Sequence, residues 1–190
     1  MRGYSLVELL VTLAVLGVLT AMSVPMFGNA LEHSRLRGAA FHMSARLYLV
    51  RSQAVRRHGY VALRFKTING VVQYQTFADG DRDGVKSADI TSGRDVPLDR
   101  PEALGDTHSG ITFGFVPGCP LIDGSTASGN PVRIGTSGLL SYSPGGESTT
   151  GTLYIRSRSE GYAIVLLGAT GRTRLLYCSP TNGQWTIDGR

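Results

Sequence analysis

The side chains of this 190-residue chain that could do chemistry fall into four groups. Asp79, Asp81 and Asp83 alternate with Gly80, Arg82 and Gly84. Carboxylates at positions 1, 3 and 5 with a glycine at 6 match the first half of a calcium-binding loop, which wraps a hard cation in oxygen ligands. The second half departs from it, because position 12 is Ile90 and the nearest acid, Asp89, comes one residue early. An acidic turn without a metal accounts for the same residues, since Asp and Gly suit turns for backbone reasons. Arg172 and Arg174 follow Gly171 at a spacing of two. On a strand this spacing puts both guanidinium groups on one face, where they could clamp phosphates. Cys119 and Cys178 are the only cysteines, and form either a disulfide, in an oxidising compartment, or two separate thiols. Glu8 is a lone carboxylate in an apolar run, where it costs a few kcal/mol unless paired or protonated.

Enzyme chemistry is not written in the chain. The sequence contains no G-x-S-x-G, H-E-x-x-H, Walker A or C-x-x-C string. His33, His42 and His58 lack the i, i+4 spacing of a helical metal pair and read as surface or packing residues. Nothing in the sequence puts His108 near either cysteine. The expectation is a protein that is not an enzyme and needs no cofactor, with calcium at Asp79, Asp81 and Asp83 as the one candidate ligand.

Two very different elements must carry these groups. Leu6–Phe27 is a nearly unbroken apolar run of 22 residues. As a helix it covers roughly 30 Å, the hydrocarbon thickness of a bilayer. Pro25 removes a backbone hydrogen bond, so a kink or local melting is expected there. From Ala30 to His58 no proline occurs, and Leu36, Ala40, Met43, Leu47, Val50 and Ala54 recur at spacings of four and three. That is the stripe of a helix facing a core. After His58 the pattern changes, and 21 of the 25 glycines lie there. Runs rich in β-branched and aromatic residues alternate with turns, predicting strands at 60–66, 71–77, 111–116, 132–135, 139–142, 152–156, 162–167, 172–177 and 185–187. No helical pattern of useful length separates them, so an antiparallel sheet or sandwich is expected. Ser143–Thr150 reads as a flexible connection.

The net charge of +5 is local. Between Glu32 and His58 there are six arginines and one acid, whereas the rest of the chain holds 13 basic and 13 acidic residues. A uniformly basic nucleic-acid-binding domain is therefore disfavoured. The excess falls on the polar faces of the second helical half, where partner subunits or anionic headgroups are the expected targets.

Met1-Arg2-Gly3 followed by Tyr4-Ser5-Leu6-Val7-Glu8-Leu9-Leu10 resembles a type IV prepilin leader. Arg51-Ser52-Gln53-Ala54-Val55-Arg56-Arg57, followed by the strand from Tyr60 to Phe65, resembles the GspH/FimT group of minor pilins and pseudopilins. The resemblance implies cleavage by a prepilin peptidase between Gly3 and Tyr4, N-methylation of Tyr4, and a docking role for Glu8, the fifth mature residue. It implies an α+β, pilin-like fold: a long kinked helix whose first half spans the inner membrane, packed on a periplasmic antiparallel β domain. The division expected is leader 1–3, membrane half 4–27, amphipathic half 28–58 and β domain 59–190. Implied partners are other pilin or pseudopilin subunits, in a type IV pilus or a type II secretion pseudopilus. Gly171-Arg172-Thr173-Arg174 also resembles the Gly-Arg-x-Arg string that FimT-type minor pilins use to bind DNA, which makes DNA uptake the alternative role.

Overall fold

The structure, a computed structural model, describes residues 5–135 and 137–188, without the side chains of residues 21–27 and 29. Gly3 and Tyr4 lie outside the described residues. The chain is α+β and divides into two compact units, Met1–Ser34 and Arg35–Arg190.

In the first unit, helix α1 (Leu6–Arg57) begins just after Ser5, whose carbonyl accepts the N–H groups of Glu8 and Leu9 at 3.1 and 3.2 Å. The helix continues through Pro25 without interruption. Local melting is absent because one proline removes one N–H bond from a 52-residue helix whose flanking turns persist. Leu6, Val7, Leu9, Leu10, Val11, Leu13, Val15, Leu16, Val18 and Leu19 are each more than half exposed. Among the described residues no helix is long and apolar enough to cross a membrane. The apolar run Leu6–Phe27 ends in the stretch whose side chains are not described.

In the second unit the rest of α1 packs on two antiparallel sheets. The first sheet contains β1 (Val61–Ile68), β2 (Val71–Ala78), β3 (Val96–Pro97), β4 (Glu102–Ala103) and β7 (Leu139–Tyr142), in the order β3-β2-β1-β7 with β4 also on β2. The second contains β5 (Thr112–Phe113), β6 (Val132–Arg133), β8 (Gly151–Arg156), β9 (Gly161–Leu167), β10 (Arg172–Cys178) and β11 (Trp185–Ile187). Its order is β11-β10-β9-β8-β5, with β6 also on β8. Two short helices, α2 (Ser87–Ser92) and α3 (Leu104–Thr107), lie in the connections.

The predicted stripe forms the centre of the core. Leu36, Ala40, Met43, Leu47, Val50 and Ala54 are all at most 1% exposed. They join Val61, Leu63, Tyr74, Leu140 and Tyr142 of the first sheet and Leu153, Ile155, Tyr162, Ile164 and Leu166 of the second in one apolar cluster. Alternation along β9 explains the geometry: Tyr162, Ile164 and Leu166 face the helix, whereas Ala163 joins a separate cluster with Leu121 and Tyr154 on the far face. At roughly 1.5–3 kcal/mol per fully buried large apolar side chain, this cluster is the main force holding helix to sheets.

Candidate functional surface

Arg172 and Arg174 open β10, and a contact on the opposite side of the strand fixes their direction. Thr173 faces α1, and its hydroxyl lies 3.1 Å from that of Ser44. The two flanking arginines therefore point outward, and both are exposed. Neither has an ion pair among the described residues. Register extends this surface across the sheet. Arg174 pairs with Val165, Val165 with Thr152, and Thr152 with Arg133. Partners in such a row share a face, so Arg133 stands on the same side, roughly 14 Å away at the usual strand spacing. Sequence spacing did not reveal Arg133, because only the register relates it to β10.

The hairpin before Arg172 is closed by backbone hydrogen bonds. Gly171 closes a 3-10 turn at Gly168–Thr170 with φ 60°, and its N–H bonds Leu167 O at 2.8 Å. The predicted flexible connection 143–150 is also an ordered turn, correcting that expectation. Ser143 N–H bonds Glu147 O at 2.9 Å, Ser148 N–H bonds Gly168 O at 2.8 Å, and Thr149 N–H bonds Ser141 O at 3.0 Å. Its backbone groups find partners in the hairpin and in β7, which a composition of Ser, Gly and Thr does not reveal.

The basic excess on α1 is partly consumed within the fold. Arg37 pairs with Asp188 at 3.3 Å, Arg46 with Asp99, and Arg51 Nε donates to Gly146 O at 3.0 Å. Asp99 in turn accepts Thr76 N–H at 2.8 Å, which ties the helix to β2. Arg35, Arg56 and Arg57 stay exposed, with no ion pair among the described residues. Three of the six arginines expected to meet external partners are thus structural.

The acidic loop gathers Asp79, Asp81 and Asp83, each offering an oxygen within 4.8 Å of the others. Protein groups already occupy much of this cluster. Asp79 Oδ1 accepts the N–H groups of Asp81 and Arg82 at 3.2 and 2.8 Å, and its Oδ2 accepts Gly84 N–H at 2.9 Å. Asp83 pairs with Lys86, whose ammonium holds the Asp83 carboxyl below its ordinary value. Asp89 turns to Arg94 at 3.3 Å. Buried Asp95 closes the base of the loop by accepting Gly80 N–H at 3.1 Å and Lys86 N–H at 2.9 Å. Three carboxylates could suit a hard cation, but the loop owes its shape to these hydrogen bonds.

Cys119 and Cys178 are joined in a disulfide, with Cα atoms 6.3 Å apart. It ties the long β5–β6 connection to the end of β10. Trp185 Nε1 donates to Pro120 O at 2.8 Å, and Ile122 N–H donates to the Tyr154 hydroxyl at 3.0 Å, reinforcing the same connection. An open groove of about 560 Å³ runs between segments 115–120 and 124–127. Ser125 and Thr126 supply its polar side chains, and no titratable group lines it.

Comparison with known families fits this architecture. The family model described as type II transport protein GspH matches residues 39–171, which include the core stripe from Ala40 to Ala54, the whole first sheet, and β5, β6, β8 and β9 of the second. The chain belongs to the type II transport protein GspH family. The prokaryotic N-terminal methylation motif matches residues 1–24. No curated protein and no solved structure matched the chain. Membership in the GspH family makes it a pilin- or pseudopilin-type subunit with a prepilin cleavage motif. It implies association with other such subunits and with a prepilin peptidase.

Proposed function

We propose that this GspH-family subunit works as a minor pilin or pseudopilin in the assembly of a type IV pilus or a type II secretion pseudopilus. It is held in the inner membrane by the first half of α1, with the β domain in the periplasm. A prepilin peptidase cuts between Gly3 and Tyr4, and the new amine is methylated. The role is scaffolding, not catalysis.

The observation that carries this reading is the row of ten large apolar side chains from Leu6 to Leu19, all more than half exposed, with a single carboxylate, Glu8, among them. Ten such side chains cannot remain in water at roughly 25 cal/mol per Å² of apolar surface. Lipid covers them in storage, and neighbouring helices cover them in the filament. Glu8 then meets the Tyr4 amine of a neighbour where few waters compete, and pairing offsets the desolvation of both charges.

The test is Glu8→Ala. The variant is expected to insert into the membrane at wild-type level and to be missing from sheared filaments. Normal incorporation refutes the docking role of Glu8.

A second reading, DNA binding for uptake, is favoured by one observation. Arg172 and Arg174 are exposed and unpaired among the described residues, and Thr173 anchors them outward. Two or three arginines on one face would give weak, salt-sensitive binding without sequence preference.

A further inference from the structure

His42, which spacing alone made a surface or packing residue, is one of a pair. His42 Nδ1 and His108 Nε2 lie 3.3 Å apart, and their ring centroids are 5.3 Å apart with planes inclined at 53°. The two residues are 66 positions apart and belong to different elements. His42 projects from α1 next to the core residue Met43, and His108 caps the end of α3. The His108 backbone is held on both sides: its N–H bonds Leu104 O at 2.9 Å, and its carbonyl accepts Ile111 N–H at 3.0 Å. Its ring rests against α1 at Gly38, where an added Cβ would stand 3.5 Å from Cε1. Both side chains are half-buried, so they are fixed yet reachable from solvent.

We propose that His42 and His108 form a two-histidine site for a borderline divalent transition cation, of which zinc is the probe of choice. A separation of 3.3 Å exceeds the usual range of an N–H···O or N–H···N hydrogen bond, so a shared proton holds the rings weakly. Two zinc–nitrogen bonds of about 2.0–2.1 Å at a tetrahedral angle span ~3.3–3.4 Å. The observed spacing meets that requirement without movement of the backbone. Binding requires both facing nitrogens to be unprotonated, so His42 carries its proton on Nε2 and His108 on Nδ1. Imidazole ligands select zinc, copper or nickel over calcium or magnesium. Among the described residues no third His, Cys, Asp or Glu gathers with the pair, so water fills the remaining positions. The bound ion would join α1 to the segment that follows β4, and would stabilise the fold by mass action.

The experiment titrates zinc chloride into the full chain, without a polyhistidine tag, in neutral detergent, followed by calorimetry and thermal melting. One equivalent should bind with a dissociation constant on the order of micromolar and raise the melting temperature. His42→Ala and His108→Ala should each weaken binding at least about tenfold and abolish the thermal shift. His58→Ala, at an exposed position, should change neither. His42→Asn and His108→Gln keep a polar side chain of similar reach and serve if an alanine variant unfolds. Copper(II) resonance spectra of the wild type should show two nitrogen ligands. Absence of binding at hundredfold higher zinc overturns the proposal. So does binding that survives both histidine substitutions, which would mark an adventitious ion only. The outcome is independent of filament incorporation, so it stands or falls apart from the proposed assembly role.

Discussion

Arg51 on α1 donates from Nε to the carbonyl oxygen of Gly146, 3.0 Å away, and that same oxygen occupies the space where a side chain on Gly171 would begin. A Cβ at Gly171 would stand 2.1 Å from the Gly146 oxygen and 3.1 Å from Arg51 Nε. Helix, loop and hairpin thus meet at one backbone oxygen. Only glycine fits at 171, because the residue is both crowded and at φ 60°. The glycine before Arg172 is therefore a packing requirement of the hairpin, whatever the arginines bind.

Gly171→Ala should destabilise the protein by about 2–4 kcal/mol, since a clash with backbone adds to left-handed strain. Arg51→Ala should cost less, about 1–3 kcal/mol, because it removes one charge-assisted bond and leaves the turn intact. Urea unfolding checks both. An alanine at 171 with wild-type stability would mean that the 143–150 turn moves aside freely.

Periodicity carried most of the fold. The six-residue stripe from Leu36 to Ala54 needed only the 3.6-residue repeat, and all nine predicted strands are present within a few residues of their expected ends. The strands Val96–Pro97 and Glu102–Ala103 were not legible, because no longer β-branched or aromatic run surrounds them and each pairs only with β2. The candidate surfaces were legible where a local string defined them, as at Asp79 or Arg172. They were hidden where topology did. Arg133 reaches the arginine face through three strand pairings, and His42 finds His108 across 66 residues. Pairing of α1 arginines with Asp188 and Asp99 was hidden for the same reason, so their charge looked free in sequence.

The arginine face makes a quantitative statement about DNA. If the full chain binds duplex DNA, replacing Arg172 and Arg174 together by alanine should weaken it at every sequence tested. The double variant should also reduce the slope of log affinity against log salt by about 2, because each arginine neutralises one phosphate. Arg133→Ala should reduce it by about 1 more. Gel shifts across a salt series measure this. Equal binding by wild type and double variant would remove DNA uptake from consideration.

The acidic loop should hold its shape without calcium. Asp79 accepts three backbone N–H groups, and Asp79→Ala leaves all three to find other partners. The expected cost is about 1–3 kcal/mol, the same in chelator as in calcium. Wild-type melting should likewise be equal in the two buffers. A calcium-dependent rise in melting temperature that is lost in Asp81→Asn would overturn this and assign the loop a metal.

Tyr142 poses the sharpest stability question. Its ring is fully buried in the core, and its hydroxyl has no hydrogen-bond partner among the described residues. Burial pushes its pKa up to about 12, against a smaller opposing pull from Arg51. Tyr74 and Tyr162 are raised to about 12 as well, again mainly by burial. The sign follows from linkage. Unfolded tyrosines lose their protons near pH 10, whereas the folded ones keep them to about 12, so the unfolded chain binds fewer protons in this window. Stability is therefore intact below pH 10 and falls between pH 10 and 12. Tyr142→Phe removes an unpaired buried hydroxyl and one of the titrating groups while preserving the ring. It should leave stability at pH 7 unchanged or raise it by about 1 kcal/mol, and should make the loss between pH 10 and 12 shallower. Urea unfolding of both proteins at pH 7 and pH 11 separates the two effects. A Phe variant that is less stable at pH 7 would show that the hydroxyl is bonded in solution, by water held inside the core.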